Sequence, residues 1–257
     1  MLPTMTSRPV ALGIAATLTL VVLGLWGWVF YSGNQDEETA LPPASTVGAT
    51  ASATSSAPRS ASLRPARAAV ARDGSSVVVL GDATGIGSGG WVQQWSDGRD
   101  VQVATWDGET RSYDDSFGAR VYSGSKDDAT SQYAIAEWPS IWPDNDPDLV
   151  IVNYGNDYSD PETAVAGMDS LYTKITKEAR DTRVVVTLQP PQRDDAGADI
   201  RQAITRWARE RGLPTIDVAA AFTSASKNTN TLLEDTTQPN ARGQRIWVQA
   251  VDKALGT

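Results

Sequence analysis

Three short runs of largely apolar residues, SSVVVL at 75–80, DLVIVN at 148–153 and RVVVTL at 183–188, constrain this 257-residue chain more than any other feature. A strand exposed on one face alternates apolar and polar side chains, whereas a continuous β-branched run suits a strand covered on both faces, as in parallel sheets. Each run is punctuated, by Gly81 and Asp82 after the first, Pro147 before the second, and Pro190 and Pro191 after the third. Further strands are expected at 101–106, 119–122 and 213–218, the first two joined by the polar stretch 107–118. Ile200, Ala203, Ile204, Trp207 and Ala208 recur at the spacing of one helix face, and Gly212 marks that helix's end. Another helix is expected to open near Trp91, and a last one to start at Asn240 as N-cap and run to Leu255. Parallel neighbours need crossover connections, so strands separated by helices predict an α/β, doubly wound parallel sheet at 74–257. Ligands of such sheets sit beyond the carboxyl ends of the strands, here the segments just after Leu80, Tyr122, Asn153 and Leu188.

The chain before residue 74 is of another kind. Residues 10–31, VALGIAATLTLVVLGLWGWVFY, carry no charge. At about 1.5 Å per residue they are long enough, as a helix, to cross a hydrocarbon core of roughly 30 Å. A cleaved signal peptide would have a shorter apolar region and a small-residue cleavage site. This run ends instead in Trp26, Trp28, Phe30 and Tyr31, which suit an interfacial aromatic belt. Arg8 precedes the span and Asp36, Glu37 and Glu38 follow it, which places residues 1–9 in the cytoplasm and the carboxyl-terminal domain outside a cell membrane crossed once. Residues 41–71 consist mostly of Ala, Ser, Thr and Pro with no aromatic residue, so a flexible linker is expected over 32–73.

The chain has no cysteine and no histidine. A Ser–His or Cys–His pair, a thiolate, a disulfide and a Cys/His zinc site are therefore excluded, and a metal would have to be a hard cation held by oxygens. No metal or cofactor is expected. A net charge of −9 argues against nucleic acid as partner, because phosphate contacts need clustered Lys and Arg.

The turn after the first strand, GDATGIGSGG at 81–90, fits neither GxxxxGK[ST] nor GxGxxG. It resembles the first motif of the SGNH or GDSL hydrolases, Gly-Asp-Ser-x at the end of the first strand of a flavodoxin-like sheet. PDLVIVNYGND at 147–157 is similar to the family's strand leading to Gly-x-Asn-Asp, and LLEDTTQPNARGQ at 232–244 to its Asp-x-x-His-Pro-Asn-x-x-Gly block. Order and spacing extend the resemblance over about 76–256. It implies a serine nucleophile, a histidine base oriented by an aspartate, and an oxyanion held by the serine amide, a glycine amide and an asparagine side chain. Carried over by position, Ala83 stands at the nucleophile and Gln238 at the base, while Asp235 keeps the acid's place. Neither an alanine methyl nor a carboxamide can perform those proton-transfer roles. The family's glycine falls at Asp128 in VYSGSKDDAT, with Gly124 as a rival placement. The asparagine falls at Asn156 if one residue after Gly155 is deleted, or at Asp157 if none is.

Asp82, Thr84, Tyr154 and Tyr158 are further cleft candidates. Asp82, Asp157 and Asp235 are expected near the old centre, as a cation or shared-proton site or as structural acceptors. Ser88 suits a cap for the following helix, and Trp91 and Trp95 a core role. Trp138 and Trp142 are candidates for a cleft mouth, and Asn153, Tyr154, Asn156 and Tyr158 for a polar, aromatic rim. The expected function is a tethered SGNH-like domain, inactive as an esterase, that binds a glycan, an acylated envelope component or a protein. The alternative is an ester or acyl hydrolase assisted by carboxylates or a metal.

Overall fold

The computed structural model describes residues 61–106 and 120–257. The expected span at 10–31, most of the expected linker and the stretch 107–118 lie outside these residues. Among the described residues no helix is long and apolar enough to cross a membrane.

In chain order the elements are α1 (Arg64–Val70), β1 (Val77–Gly81), α2 (Trp91–Asp97), β2 (Val103–Thr105), β3 (Val121–Ser123), α3 (Ser131–Ala136), α4 (Trp138–Ile141), β4 (Leu149–Asn153), α5 (Pro161–Glu178), β5 (Arg183–Leu188), α6 (Ala198–Glu210), β6 (Thr215–Asp217), α7 (Val218–Ala225) and α8 (Ala241–Leu255). The six strands form one sheet in the order β2-β3-β1-β4-β5-β6, every pair parallel. Side chains of a strand point alternately to its two faces, and here both faces are covered. Val78, Leu80, Val150, Val152, Val184 and Val186 meet α3–α6 through residues such as Ile141, Met168, Leu171 and Ile204. Val77, Val79, Leu149, Ile151 and Val185 meet α1, α2, α7 and α8 through Val70, Trp91, Trp95, Phe222 and Trp247. Burying each such side chain stabilises the fold by about 1.5–3 kcal/mol, which is why β1, β4 and β5 carry no polar alternation.

Several elements are set by local chemistry. Asp160 accepts from Thr163 N at 2.8 Å and Pro161 pre-sets the first turn of α5, whose Ala164, Met168, Leu171 and Ile175 face the core. Asn240 caps α8 as expected, its Oδ1 accepting from Arg242 N at 3.0 Å and Gly243 N at 3.1 Å. The strand expected at 213–218 is confined to Thr215–Asp217, because the Asp217 carboxylate accepts from Ala220 N and so opens α7 at Val218. Gly90, with no side-chain cap, opens α2, and Ser88 is exposed, so the expected serine cap is not formed.

Part of the segment expected to be linker, at 61–73, lies among the described residues and is not irregular chain. Residues 64–70 are helical, because Ala66, Ala69 and Val70 are small enough to seat α1 closely against the sheet and α8. Arg67 Nε donates to Ala254 O at 2.7 Å and its Nη2 to Lys253 O at 3.3 Å, satisfying carbonyls in the last turn of α8.

Candidate functional site

The chain leaves β1 toward β2 on one side and leaves β4 toward β5 on the other, so a crevice opens above the ends of this central pair. Register places Gly81 opposite Asn153. A Cβ on Gly81 would lie 2.9 Å from Asn153 O, so only glycine lets the two strand ends approach this closely.

Asp82 follows immediately and is fully buried. Its Oδ1 accepts from Thr84 N at 3.1 Å and from the Thr84 hydroxyl at 2.7 Å, while its Oδ2 accepts from Gln189 Nε2 at 2.6 Å. Asn153 Nδ2 donates to the same threonine oxygen at 2.9 Å, and Gln189 Nε2 also donates to Asn153 O at 3.1 Å. The ends of β1, β4 and β5 are thereby tied into one buried polar network. Burial pushes the Asp82 carboxyl upward, against the opposing pull of its hydrogen bonds from Thr84 and Gln189. Asp82 is thus a structural acceptor, and the Thr84 hydroxyl is enclosed between two partners.

Asp157 has the opposite character. It is half-buried, its Oδ2 has no hydrogen-bond partner, and its carboxyl is pushed up to about 7 by burial and then by the charges of Asp82, Asp128 and Asp127. The charges that act on it are those of Asp82 after β1 and of Asp128 and Asp127 after β3, so of the three expected carboxylates Asp82 and Asp157 influence one another, and Asp235 is not among the groups that raise Asp157. Asp128 has φ of 52°, a backbone conformation that favours glycine, while Gly124 continues β3 with its N–H donating to Val79 O at 2.9 Å. Among the described residues no group of three or more acidic side chains is placed to hold a metal ion.

Asp235 is exposed and serves its own turn: Oδ1 accepts from Thr237 N and Gln238 N, both at 2.8 Å, which holds its carboxyl below the usual range. Gln238 closes that turn through its backbone, its carbonyl accepting from Glu234 N at 2.8 Å. The turn joins the other loops through Arg193, whose Nε donates to Asp235 O at 3.0 Å, and the neighbouring Gln192, whose Nε2 donates to Asn156 Oδ1 at 3.1 Å. Ala83 is half-buried at the start of the tight turn leaving β1.

The expected aromatic rim is largely a core feature. Tyr154 is buried, and Tyr158 is buried with its hydroxyl donating to Ser131 Oγ at 2.6 Å. Trp138 and Trp142 stack at a centroid distance of 4.0 Å against the α5 side of the core, because two adjacent indoles bury more apolar surface together than either would at a cleft mouth. Trp91 and Trp95 take the expected core positions. Gln189 and Gln192 were not foreseen as site residues; their only sequence signal is that they follow the β5 run, at a strand end where function was expected.

The family model for the GDSL-like Lipase/Acylhydrolase family matches residues 79–246. The chain belongs to this family. Among solved structures, the GDSL-family domain is similar to Axe2, an acetylxylan esterase from Geobacillus stearothermophilus, with 18% identity, 72% of this chain and 95% of that chain covered, and a TM-score of 0.54. A member of the lipolytic protein G-D-S-L family from Veillonella parvula matches at 14% identity over 69% of this chain and 96% of that one, TM-score 0.51. A two-domain esterase active on acetylated mannans matches at 15% identity over 76% of this chain and 53% of that one, TM-score 0.58. At these identities the likeness is one of fold. No protein of curated function matches the sequence.

Proposed function

We propose that this GDSL-family chain is a membrane-tethered, extracytoplasmic binding protein that does not hydrolyse esters by a serine–histidine route. Its ligand is a glycan, an acylated envelope component or a protein. One observation carries the reading: the two positions where the family's motifs place the nucleophile and its histidine hold groups that can neither attack nor relay a proton. Ala83 offers a methyl group where the family's motif has serine, and the whole chain contains no histidine. The Thr84 hydroxyl donates to Asp82 and accepts from Asn153, and both bonds hold it inside the buried network. Asp235, which would orient an imidazole, accepts from two amides of its own turn. Losing either member of a nucleophile–base pair costs on the order of a millionfold in kcat, and losing both costs little more because they act as one unit.

The test is restoration. The unaltered chain and Ala83→Ser are expected to turn over p-nitrophenyl acetate at the buffer rate, and Ala83→Ser with Gln238→His to exceed it by about a hundredfold, the contribution of a positioned base. Turnover by the unaltered chain would overturn the reading. A second reading is favoured by Asp157, whose carboxyl near 7 suits a general base activating water at neutral pH. In that case activity rises through about pH 7 and disappears in Asp157→Asn.

A further inference from the structure

Between the ends of β3 and β4 the wall of the crevice is held together by one buried contact. Tyr158, in the loop from β4 to α5, meets Ser131, the first residue of α3. The Tyr158 hydroxyl donates to Ser131 Oγ at 2.6 Å and accepts from Ser131 N at 3.2 Å. Both residues are buried, and the contact passes so close to α5 that a Cβ on Gly167 would lie 2.6 Å from Ser131 Oγ and 3.0 Å from the Tyr158 hydroxyl. Glycine inside a helix is less stable than alanine, and here the room that the contact needs accounts for it.

Asp157, the residue before Tyr158, works against that contact. Its Oδ2 is buried without a partner, and the charges acting on its carboxyl are those of Asp82 after β1 and of Asp128 and Asp127 in the turn that leads into Ser131. Among the described residues none of the charges acting on it is positive. Lys126, at the start of that turn, is exposed, and Asp160, in the loop of Asp157 itself, is turned to Thr163 as the cap of α5. From the β5 side come the uncharged Gln189 and Gln192, while Arg193 donates to Asp235 O. A neutral carboxyl suits this place, whereas an ionised one repels the turn to which Tyr158 is bonded. Burial pushes the Tyr158 hydroxyl upward, so it keeps its proton through the neutral range. Asp82 is fully buried and coupled to Asp157, and of the two only the half-buried Asp157 relieves its charge by moving into water.

We propose that Tyr158 and Ser131 form a proton-controlled latch on the crevice wall, closed while Asp157 is uncharged and released when Asp157 ionises. Asp157 gives one proton to water, and the charge it gains pushes the β4–α5 loop away from the Asp127–Asp128 turn. The hydrogen bonds that resist are between neutral groups, whose net contribution is small because water replaces them once the wall opens. With the carboxyl at about 7, the latch is shut in mild acid and released above neutral pH, so the crevice becomes more accessible as pH rises. The device controls the wall whatever the crevice holds, and it goes beyond the binding reading above without depending on it.

Exchange of the Ser131 amide reads the latch directly, because that N–H donates to Tyr158. The full chain, in a polyoxyethylene detergent, is followed by hydrogen–deuterium exchange resolved to single amides at pH 5.5 and 8.5, each rate divided by that of an unstructured peptide of the same sequence at the same pH. The opening constant at Ser131 is expected to rise about tenfold between the two, the effect that half-exposure leaves to a raised carboxyl. Asp157→Asn should keep the low value at both pH values, and Tyr158→Phe, which removes the latch, should give the high value at both. The proposal is overturned if Ser131 is equally protected at both pH values, if Asp157→Asn follows the same course as the unaltered chain, or if Tyr158→Phe remains protected at pH 5.5 while thermal unfolding shows it folded. It is also overturned if Ser131 exchanges no faster than the amide of Gly124, which donates to Val79 O within the sheet and opens only with the whole domain. Exchange needs neither ligand nor ester, so failure of the latch leaves the proposed function to its own restoration test, and failure of that test leaves the latch standing.

Discussion

Asp157→Asn is expected to stabilise the domain above neutral pH and to leave it unchanged in acid. The carboxyl lies at about 7 in the folded protein against 3.8 for the ordinary group, raised by burial and by Asp82, Asp128 and Asp127. Below about pH 4 the side chain is protonated in both the folded and unfolded states and contributes nothing to the difference between them. As pH rises toward 7 the unfolded chain releases the proton and the folded chain keeps it, so stability falls; above 7 both states are ionised and the penalty is constant. At 1.36 kcal/mol per tenfold the full penalty would be about 4 kcal/mol. A carboxylate that is half-exposed is screened by water, which reduces it to about 1–2 kcal/mol. The asparagine has no proton to lose and also relieves Asp82 of a like charge, so the difference between the two proteins measures Asp157 together with its coupling to Asp82. Thermal unfolding followed by circular dichroism should give equal midpoints near pH 4 and a variant midpoint higher by about 3–6 °C near pH 8. Equal midpoints at both pH values, or the same gain at both, would refute this account of the charge cluster.

Gln189→Leu should lower stability by about 2–3 kcal/mol in urea unfolding, because it removes the 2.6 Å donor from the buried Asp82 carboxylate and strands an acceptor. Arg67→Ala should cost about 1 kcal/mol through the freed carbonyls of Ala254 and Lys253, read in the same way. A chain truncated to 74–257 should unfold at a lower temperature than one beginning at residue 61, since it uncovers the surface that Ala66, Ala69 and Val70 bury. Equal midpoints for these two chains would mean that α1 adds nothing to the fold.

The central strands, the cap at Asn240 and the helix of Ile200–Trp207 were legible in the sequence because each depends on neighbours close in the chain. The helix α5 had the same kind of signal in Asp160, Pro161 and its apolar spacing, though it was not anticipated. The sequence alone also excludes a histidine-based mechanism anywhere in the chain, since composition requires no geometry. What it left undecided depends on residues far apart in sequence. The helix α1 reads as linker because its own composition holds no core; its stability comes from surface on α8 nearly two hundred residues away. Tyr154 and Tyr158 read as rim residues because a tyrosine hydroxyl suits water, and their burial follows from partners such as Ser131. Asp82 and Asp157 are the same residue type, each next to a strand end, and only tertiary structure separates them. One is surrounded by donors from Thr84 and Gln189, the other faces three carboxylates with an unpartnered oxygen. Hydrogen bonds and local dielectric are set by what the fold brings within about 3 Å, and for these two carboxylates that is a property of three strand ends meeting, not of any one segment.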